Sequence, residues 1–410
     1  MIALSANIAN AQWQQTGLSG KIILSLASDG TNIFAGTSVG EVYLSSNNGS
    51  TWAAANTGLP ANNAVFSFAI SGANIFAGTL GGVFLSSNNG STWAAVNTGL
   101  TNTTILSFAI SGTNIFAGTQ GGGVFLSTNN GNNWTAVNNG LTQTKVNSLA
   151  ISGTNIFAGT GPTTGGDVFL STNNGVLWTK VNNGLPANPS VLSFAISGTN
   201  IFAGPWGYGV FLSSNNGTNW TAVNTGLPAN TSVSSFAISG TNIFAGSNGS
   251  GVFLSSNNGT NWTAVNTGLT GVGLYVYSFA IIGTNVFAGT GDGVWRRPLS
   301  DFVTGIEDNP ASEETHFMVY PNPSSGKFCL SIPLSFREGK VEVSSVIGEK
   351  IFSSPVGGGR EGALDLFSQP NGIYFLNISA IGGSLPTGQA GTSGGKTESE
   401  SFTQKIVIQK

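Results

Sequence analysis

Charged residues are scarce in this sequence. Asp, Glu, Lys and Arg make up 7 % of its 410 residues, against about a quarter in typical soluble domains. The net charge is −3 and the 13 basic residues are spread thinly, so the chain lacks the clustered Lys and Arg that nucleic acid binding requires. We therefore exclude nucleic acid as a partner. The polar surface has to come from Asn, Ser, Thr and the 60 Gly.

Metal-binding and redox-active residues are also nearly absent. Cys329 is the single cysteine and His316 the single histidine. One cysteine excludes an intramolecular disulfide, and one histidine excludes a His-based metal cluster. We therefore expect neither a metal nor a cofactor. No apolar run approaches the length of about eighteen residues that a membrane-spanning helix needs, so we expect no transmembrane span.

Residues 1–11 have the composition of the end of a secretory signal. A small-x-small cleavage site, Ala9-Asn10-Ala11, precedes Gln12. The apolar part is short, and a basic segment before it is missing. We expect a signal-peptide remnant whose true translation start lies upstream; the alternative is a disordered N-terminus.

A five-residue phrase, Asn-Ile-Phe-Ala-Gly, recurs through residues 12–299. Its copies begin every 40 to 45 residues, at Asn32, Asn74, Asn114, Asn155, Asn200 and Asn242, with Asn-Val-Phe-Ala-Gly from Asn285. A fixed period of this length means that each copy is one supersecondary unit, which buries its apolar faces against its neighbours.

The copy at residues 104–141 contains four strand patterns separated by Gly-rich or Asn-rich turns. They are Ile105–Ser111, Asn114–Thr119, Val124–Ser127 and Trp134–Val137. Four short strands in each period are typical of a β-propeller blade. The strands are continuously apolar, as expected for sheets covered on both faces. The alternative is a β-helix, but its coils are usually shorter and stack open-ended.

The seventh unit lacks its own fourth strand. The repeat stops after Gly293–Pro298, whereas residues 12–18 echo the end of the first unit, Trp52–Leu59. A strand donated by residues 12–18 would close the ring and remove both sheet edges. The sequence therefore predicts an all-β fold, a seven-bladed β-propeller of four-stranded blades at residues 12–299 that an N-terminal strand closes.

A box, Ser-x-Asn-x-Gly-x-x-Trp, lies between the third and fourth strands of six units. It comprises Ser45, Asn47, Gly49 and Trp52 in the first unit, and its Asn and Trp recur as Asn88 and Trp93, Asn129 and Trp134, Asn173 and Trp178, Asn215 and Trp220, and Asn257 and Trp262. The Asn caps a turn, the Gly supplies a positive φ, and the Trp offers an apolar surface beneath the hairpin. We interpret the box as a hairpin staple; the alternative is ligand binding.

This box resembles the Asp-box, or BNR, repeat of sialidases, sortilin-like receptors, xyloglucan-cleaving glycosidases and photosystem assembly propellers. The resemblance covers residues 12–299 and implies a propeller fold. The family's aspartate is asparagine in all six copies here. Sialidase activity is not expected, because sialidases grip the substrate carboxylate with three arginines and this region has only Arg296 and Arg297.

Variation between otherwise matching units marks the loops that are free to carry function. In a propeller the boxes occupy one rim, here called the box rim. The links between second and third strands and between blades occupy the other, the variable rim. We predict a ligand site there at Trp206, Tyr208 and Asp167; the alternative is that these loops pack on their own blades. Tyr275 and Tyr277 are interpreted as first-strand core residues.

An enzyme would need acidic residues, and residues 12–299 contain four, Asp29, Glu41, Asp167 and Asp292. Asp29 lies on the box rim. Glu41 and Asp292 fall in equivalent loops of the first and seventh units, and with Asp167 they are the candidates for acid and base work on a glycoside. We expect the gap between Glu41 and Asp292 to be too wide, so no residue is assigned as catalytic.

The composition changes from residue 300. Residues 300–315 are rich in Asp and Glu, which predicts a solvated linker. Residues 316–410 carry about seven strand patterns, which predict a small Ig-like β-sandwich. Six of them are Phe317–Tyr320, Lys327–Ile332, Lys340–Ser345, Ile351–Ser354, Ile373–Ile378 and Phe402–Gln409. Residues 381–400, rich in Gly, Ser and Thr, are expected to be mobile.

Four short motifs follow one another along residues 316–410. Their key residues are Tyr320, Pro321, Asn322, Pro323, Gly326, Gly348, Gly372, Tyr374 and Lys405. In these motifs the tail resembles the type-A C-terminal sorting domain of the Bacteroidetes type IX secretion system. The resemblance implies passage through the periplasm, recognition by the outer-membrane export machinery, removal of the tail, and release or surface attachment. The alternative is an ordinary adhesion-type sandwich.

The sequence thus predicts an exported, monomeric, non-enzymatic binding module, secreted or attached to the outer-membrane surface, with a glycan or a protein on its variable rim. Two alternatives stay open, a glycoside-acting enzyme and a surface spacer without a specific ligand. The sequence does not name the ligand.

Overall fold

The computed structural model describes residues 12–161 and 165–302 and, in the tail, residues 318–320, 327–331, 338–345, 349–357, 361–366, 368–369, 372–380 and 401–408. The chain divides into two compact units, Met1–Gly305 and Ile306–Lys410. The signal remnant expected at residues 1–11, most of the expected linker and the insertion at 381–400 lie outside the described residues.

The first unit contains seven antiparallel sheets of four strands each, which confirms the seven predicted blades. The first strands, which line the axis, are Ile23–Ser28, Val65–Ser71, Ile105–Ser111, Val146–Ser152, Val191–Ser197, Val233–Ser239 and Val276–Ile282. The second strands, which carry the repeated phrase, are Ile33–Thr37, Asn74–Thr79, Asn114–Thr119, Asn155–Thr160, Asn200–Pro205, Asn242–Ser247 and Asn285–Thr290.

The outer half of each blade is shorter. The third strands are Val42–Ser45, Gly82–Ser86, Val124–Ser127, Val168–Ser171, Phe211–Ser213, Val252–Ser255 and Gly293–Pro298. The fourth strands of blades 1–6 are Ala53–Ala54, Ala94–Ala95, Thr135–Ala136, Thr179–Lys180, Thr221–Ala222 and Thr263–Ala264. Two 3₁₀ helices, Gly271–Leu274 and Leu299–Phe302, complete the unit.

The fourth strand of blade 7 comes from the start of the chain. Gln14–Gly17 pairs antiparallel with Gly293–Pro298, with a bulge between Gln15 and Gly17. The backbone N–H of Trp13 donates to the carbonyl of Thr267 in blade 6 at 2.8 Å. The predicted closure of the ring by the first residues is therefore confirmed. The third strand of blade 7 has a fourth strand beside it, as in the other blades.

The glycine of the repeated phrase is required by packing between blades. A Cβ on Gly118 would lie 2.5 Å from the Ser107 Oγ and 2.7 Å from the Cγ1 of Val146 in the next blade. At the ring closure, a Cβ on Gly289 would lie 2.8 Å from the Cγ2 of Ile23. Any larger residue would hold the blades apart, so each glycine lets the next blade come close.

One apolar cluster fills each junction between blades. Between blades 2 and 3, for example, Phe76, Ile105, Phe125 and Trp134 are each at most 3 % exposed and contact one another within one cluster. Both faces of the inner strands are thereby covered, which explains why these strands are continuously apolar in sequence.

The described chain leaves the propeller at the box rim through Leu299–Phe302. The Phe302 ring meets Phe244 edge-on, with ring centres 4.8 Å apart, and the Arg297 guanidinium lies 4.3 Å from its centre. Arg297 also pairs with Asp301 at 3.3 Å. Because Phe302 is 2 % exposed, propeller packing extends into the first residues of the segment expected to be a linker.

Seven strands in two antiparallel sheets are described in the tail. One sheet orders Met318–Tyr320, Lys327–Ser331 and Glu361–Asp365; the other orders Lys350–Gly357, Glu338–Ser345, Gly372–Ala380 and Ser401–Ile408. The six strands named from the sequence are confirmed to within a few residues, and Glu361–Asp365 is the additional one. Packing of the two sheets into an Ig-like sandwich stays a prediction.

Candidate ligand site on the variable rim

The boxes make one repeated set of hydrogen bonds. In blade 3 the Ser127 hydroxyl donates to Asn129 Oδ1 at 3.0 Å and accepts the N–H of Gly131 at 2.9 Å, while Asn129 Oδ1 accepts the N–H of Asn133 at 2.9 Å. The other five boxes make the equivalent three bonds. The two turn residues, Asn130 and Gly131, have φ of 55° and 79°. The bonds that recur in all six boxes use only the Oδ1 of the Asn, so asparagine fills the position as well as aspartate. In blades 1 and 2 the amide nitrogen also donates, from Asn47 to Thr51 and from Asn88 to Thr92.

The box tryptophans join each blade to the one before it. The indole N–H of Trp134 donates to the carbonyl of Val96 at 2.8 Å, and its backbone N–H donates to Thr98. Equivalent pairs of bonds hold Trp13, Trp93, Trp178, Trp220 and Trp262. The sequence predicted only that the tryptophan ring covers the hairpin. In the structure the indole N–H also bonds the preceding blade, so the ring helps to hold the blade junction.

Trp52 is the exception, and it lies where blade 1 meets blade 7. Its indole N–H is buried without an acceptor. By analogy with the other blades the acceptor would be the carbonyl of Thr16, but the bulge between Gln15 and Gly17 displaces this position. The closing junction of the ring therefore lacks both bonds that a tryptophan makes at each of the other six junctions, one from the indole N–H and one from the backbone N–H.

The variable rim carries exposed aromatic residues in blades 5 to 7. Trp206, Tyr208 and Tyr275 are 40 %, 48 % and 40 % exposed, and Val272 is 56 % exposed. We call these four residues the aromatic ledge. The interpretation of Tyr275 as a core residue was wrong: it precedes the first strand of blade 7, and its ring lies over Gly249, where a Cβ would be 3.4 Å from the ring.

Cross-blade bonds fix the ledge. Within blade 5, the backbone N–H of Trp206 donates to the carbonyl of Ser190 at 2.9 Å, and Ser190 directly precedes the first strand of that blade. The N–H of the following Gly207 donates to the Ser232 hydroxyl at 2.9 Å, in the link to blade 6. The N–H of Gly249 donates to Leu274, in the link to blade 7. The loops of three blades are thereby joined into one surface.

This sector of the propeller has no charge. From Val181 to Gly291 the sequence contains no Asp, Glu, Lys, Arg or His, and a second such stretch runs from Val42 to Thr144. The charged residues of the propeller lie in the three remaining segments, residues 12–41, 145–180 and 292–302. The ledge itself therefore offers a ligand aromatic rings, the Val272 side chain and backbone, and the absence of charge could have been read from the sequence. The acid that follows in sequence, Asp292, comes directly after Gly291, whose N–H donates to Tyr275 at 3.0 Å.

A cavity of about 330 Å³ opens at the variable-rim end of the axis. It is lined by the rim-proximal residues of the first strands. One lining position, at the strand bulge, differs between blades: Leu24, Phe66, Leu106, Asn147, Leu192 and Tyr277. The equivalent residue of blade 6, Ser234, is not part of the lining and donates instead to the Val276 carbonyl at 2.6 Å. Tyr277 is thus a half-buried cavity residue rather than part of the closed core. Burial, with a smaller effect of Tyr275, raises the pKa of the Tyr277 hydroxyl, so this group is a neutral phenol near pH 7.

The acidic candidates are held by local partners. Glu41 pairs with Lys21 at 2.6 Å, and Asp292 accepts the N–H of Gly20 at 2.6 Å and the Ser19 hydroxyl at 3.2 Å. The segment 19–21 thus lies between the two carboxylates. The third candidate, Asp167, lies in blade 4.

Asp167 faces its own blade. It is 6 % exposed, pairs with Lys180 at 2.5 Å and accepts the Asn182 amide at 2.6 Å. Its backbone also bonds Thr160 in both directions. The polar contacts of Asp167 are thus all within blade 4, and none reaches Trp206 or Tyr208.

Four of the sorting-motif residues lie in described strands. Tyr320 ends the strand Met318–Tyr320, Gly372 begins Gly372–Ala380, Tyr374 in that strand is buried, and Lys405 pairs opposite Phe375. Pro321, Asn322, Pro323, Gly326 and Gly348 lie outside the described residues. Within the described part of the chain, no helix is long and apolar enough to cross a membrane, and no group of metal-ligating side chains is found.

Solved propellers resemble the structure at low sequence identity. The extracellular domain of a protein described as a hybrid two component system, from B. thetaiotaomicron, aligns with a TM-score of 0.58 and 17 % identity over 78 % of this chain and 44 % of its own. PorZ, a surface component of the type IX secretion system of Porphyromonas gingivalis, aligns at 0.55 and 14 % over 95 % and 59 %. YCF48 bound to the D1 peptide aligns at 0.56 and 13 % over 70 % and 96 %. The chain spans about half the length of the first two, and these likenesses show the fold alone.

Two family models match parts of the chain. Residues 6–158 match the model described as the DUF6242 beta propeller domain, and residues 318–385 match the secretion system C-terminal sorting domain. No curated protein matches the sequence. The tail indicates export by the type IX secretion system, to the medium or to the cell surface. The chain is thus a seven-bladed β-propeller protein that carries a C-terminal sorting domain of that system.

Proposed function

We propose that the exported propeller is a non-enzymatic module that binds a neutral glycan on the aromatic ledge. The observation that carries this proposal is the exposure of Trp206, Tyr208 and Tyr275 within a stretch that has no charged residue. Exposed rings offer flat apolar faces to the C–H faces of sugars, and the surrounding Asn, Ser and backbone groups offer hydrogen bonds to hydroxyls. An anionic ligand would find no basic side chain in this stretch of the chain.

A catalytic role is not favoured by the acidic residues. Glu41, Asp167 and Asp292 each have a local partner, and they lie in blades 1, 4 and 7 rather than on the ledge. A protein partner is the other occupant to consider. The core of a protein interface is a contiguous, fully buried apolar patch, whereas the ledge consists of separate rings on Gly- and Ser-rich loops.

Binding of the full-length chain to a panel of neutral and charged polysaccharides tests this proposal. We expect a neutral glycan to bind with an affinity that does not change between about 50 and 500 mM salt, because no ion pair contributes. The variant Trp206→Asn has the residue that blade 6 carries at the equivalent position, Asn248. It should weaken binding by about tenfold, as expected for the loss of one stacked ring, with an unchanged melting temperature.

A matched control changes an exposed apolar residue on the other rim. Leu177 is 48 % exposed in the blade 4 box, where blades 3, 5 and 6 have Asn133, Asn219 and Asn261. Leu177→Asn should leave binding unchanged. Equal losses from Trp206→Asn and Leu177→Asn, binding only to charged polymers, or binding only to a polypeptide would each overturn the glycan proposal.

The proposed place of action is outside the cell. Deleting residues 316–410 should leave the propeller in the periplasm, whereas the full chain should reach the medium or the surface. Fractionation with an antibody against the propeller separates these outcomes. It also shows whether the tail is removed, because the exported protein would then be shorter.

A further inference from the structure

The axial cavity lies next to the aromatic ledge. Tyr275 on the ledge and Tyr277 in the cavity are separated by one residue at the start of the first strand of blade 7. Trp206 is bonded through its backbone to Ser190, directly before the first strand of blade 5. A ligand on the ledge therefore has the cavity mouth beside it.

The cavity is amphipathic and uncharged. Leu24, Phe66 and Leu106 form an apolar arc in blades 1 to 3, while Asn147 supplies a polar group in blade 4 and first-strand serines such as Ser235 supply hydroxyls. None of the residues that line it is Asp, Glu, Lys, Arg or His. A charged chain end, such as a peptide carboxylate, would be desolvated there without a counter-ion. A sugar, with a C–H face and a hydroxyl edge, matches both sides of the lining.

The size of the cavity limits how much can enter. Its volume of about 330 Å³ is at the lower end of the range of about 300–1,000 Å³ seen for small-molecule pockets. It has room for a terminal unit rather than for a chain passing through.

Resting on the proposed function, we propose that the glycan binds end-on, with its terminal neutral sugar unit in the axial cavity and the next units along the aromatic ledge. Tyr277 and Asn147 are then the residues that determine which terminal unit is accepted. The Nδ2 of Asn147 is held by the Gly161 carbonyl at 2.8 Å and the Ser190 hydroxyl at 3.3 Å, which leaves its carbonyl oxygen to accept from a sugar hydroxyl. The Tyr277 hydroxyl has no hydrogen bond within the described part of the chain.

The chain itself supplies variants that its own fold accepts. Tyr277→Ser introduces the residue of blade 6, Ser234, and Asn147→Leu introduces the residue of blades 3 and 5, Leu106 and Leu192. In the full-length protein each should weaken binding of the hexasaccharide that binds best among cello-, laminari-, manno- and maltohexaose by about tenfold. Thermal unfolding identical to that of the parent protein shows that the variants fold.

End-blocked probes test the direction of binding. The same hexasaccharide is prepared with a bulky group on its reducing end or on its non-reducing end. We expect one block to reduce affinity at least tenfold and the other to be tolerated, because only one end enters the cavity. If both blocks are tolerated, or if Tyr277→Ser and Asn147→Leu bind normally while Trp206→Asn does not, the end-on proposal fails and the ledge proposal stands. If no hexasaccharide binds, both fail.

Discussion

The two rims of the propeller differ in how far their hydrogen bonds repeat from blade to blade. On the box rim every box makes the same three hydrogen bonds, and six tryptophans bond the preceding blade in the same way. On the variable rim only the base of each loop repeats, where an Asn such as Asn138 accepts the first N–H of the third strand. The loop tips are all different.

This difference separates stability from recognition. A contact that recurs in six blades is explained by what every blade needs, a closed hairpin bonded to its neighbour. A contact that occurs in one blade is not required by the fold, and loops of this kind are where binding residues are found. Substitutions on the box rim should therefore change stability, and those on the ledge should change binding.

The largest effect is expected at the box tryptophans. Trp134→Ala removes a side chain that is 3 % exposed together with its bond to Val96. A loss of about 3–5 kcal/mol in the free energy of unfolding is typical of such a truncation. Trp52→Ala should cost clearly less, because Trp52 is only half-buried and its indole N–H has no acceptor. Urea titration followed by near-UV circular dichroism measures both; equal losses would mean that the closing junction is as strong as the others.

A smaller loss is expected within the box. Ser127→Ala leaves the buried N–H of Gly131 without its acceptor, which costs about 1–2 kcal/mol. The neighbouring Thr128 is exposed, so Thr128→Ala is the control and should stay within about 0.5 kcal/mol of the parent. A neutral Ser127→Ala would show that water replaces the hydroxyl and that the turn alone holds the hairpin.

Much of the fold can be predicted from the sequence, because the repeated phrase occurs in seven copies and the box in six. The phrase around Phe116 and Gly118 marks the inner strands, the box marks the third turn, and the missing box after Pro298 predicts closure by residues 12–18. Each of these features is local, so spacing alone locates it.

The site was less predictable, because it depends on contacts between blades. Trp206 and Tyr208 stand out as aromatic, but nothing near Tyr275 in sequence shows that its ring lies over Gly249, 26 residues away in the previous blade. The burial of Asp167 depends on Lys180, which reaches it from the fourth strand. The charge-free stretch from Val181 to Gly291 is visible in the sequence. Only the structure shows that this stretch forms one sector of the ring and carries the exposed aromatic residues.

Asp167 tests whether a residue on the variable rim can contribute to stability without contributing to binding. It lies on the variable rim, yet its contacts are structural. Asp167→Asn should lower the free energy of unfolding by about 1 kcal/mol, since a charged hydrogen-bonded pair is lost while the half-exposed Lys180 regains water. Glycan affinity should not change. A loss of binding without a loss of stability would return Asp167 to the ligand site.

The smallest effect is expected where the ring closes, at Lys21 and Glu41. The hydrogen bond that Lys21 donates to Glu41, followed by its interaction with Tyr43, raises the pKa of Lys21 above its usual 10.5. A raised lysine pKa contributes stability that is present below 10.5 and is lost as the pH rises through the folded-state value. Since the Lys21 side chain is 33 % exposed, the contribution is at most about 1 kcal/mol and falls with salt. Lys21→Met should therefore differ from the parent at pH 8 in low salt and converge with it as the pH rises above 10.5. A difference that persists at high pH would trace the effect to packing of the lysine side chain on Tyr43 rather than to the ion pair with Glu41.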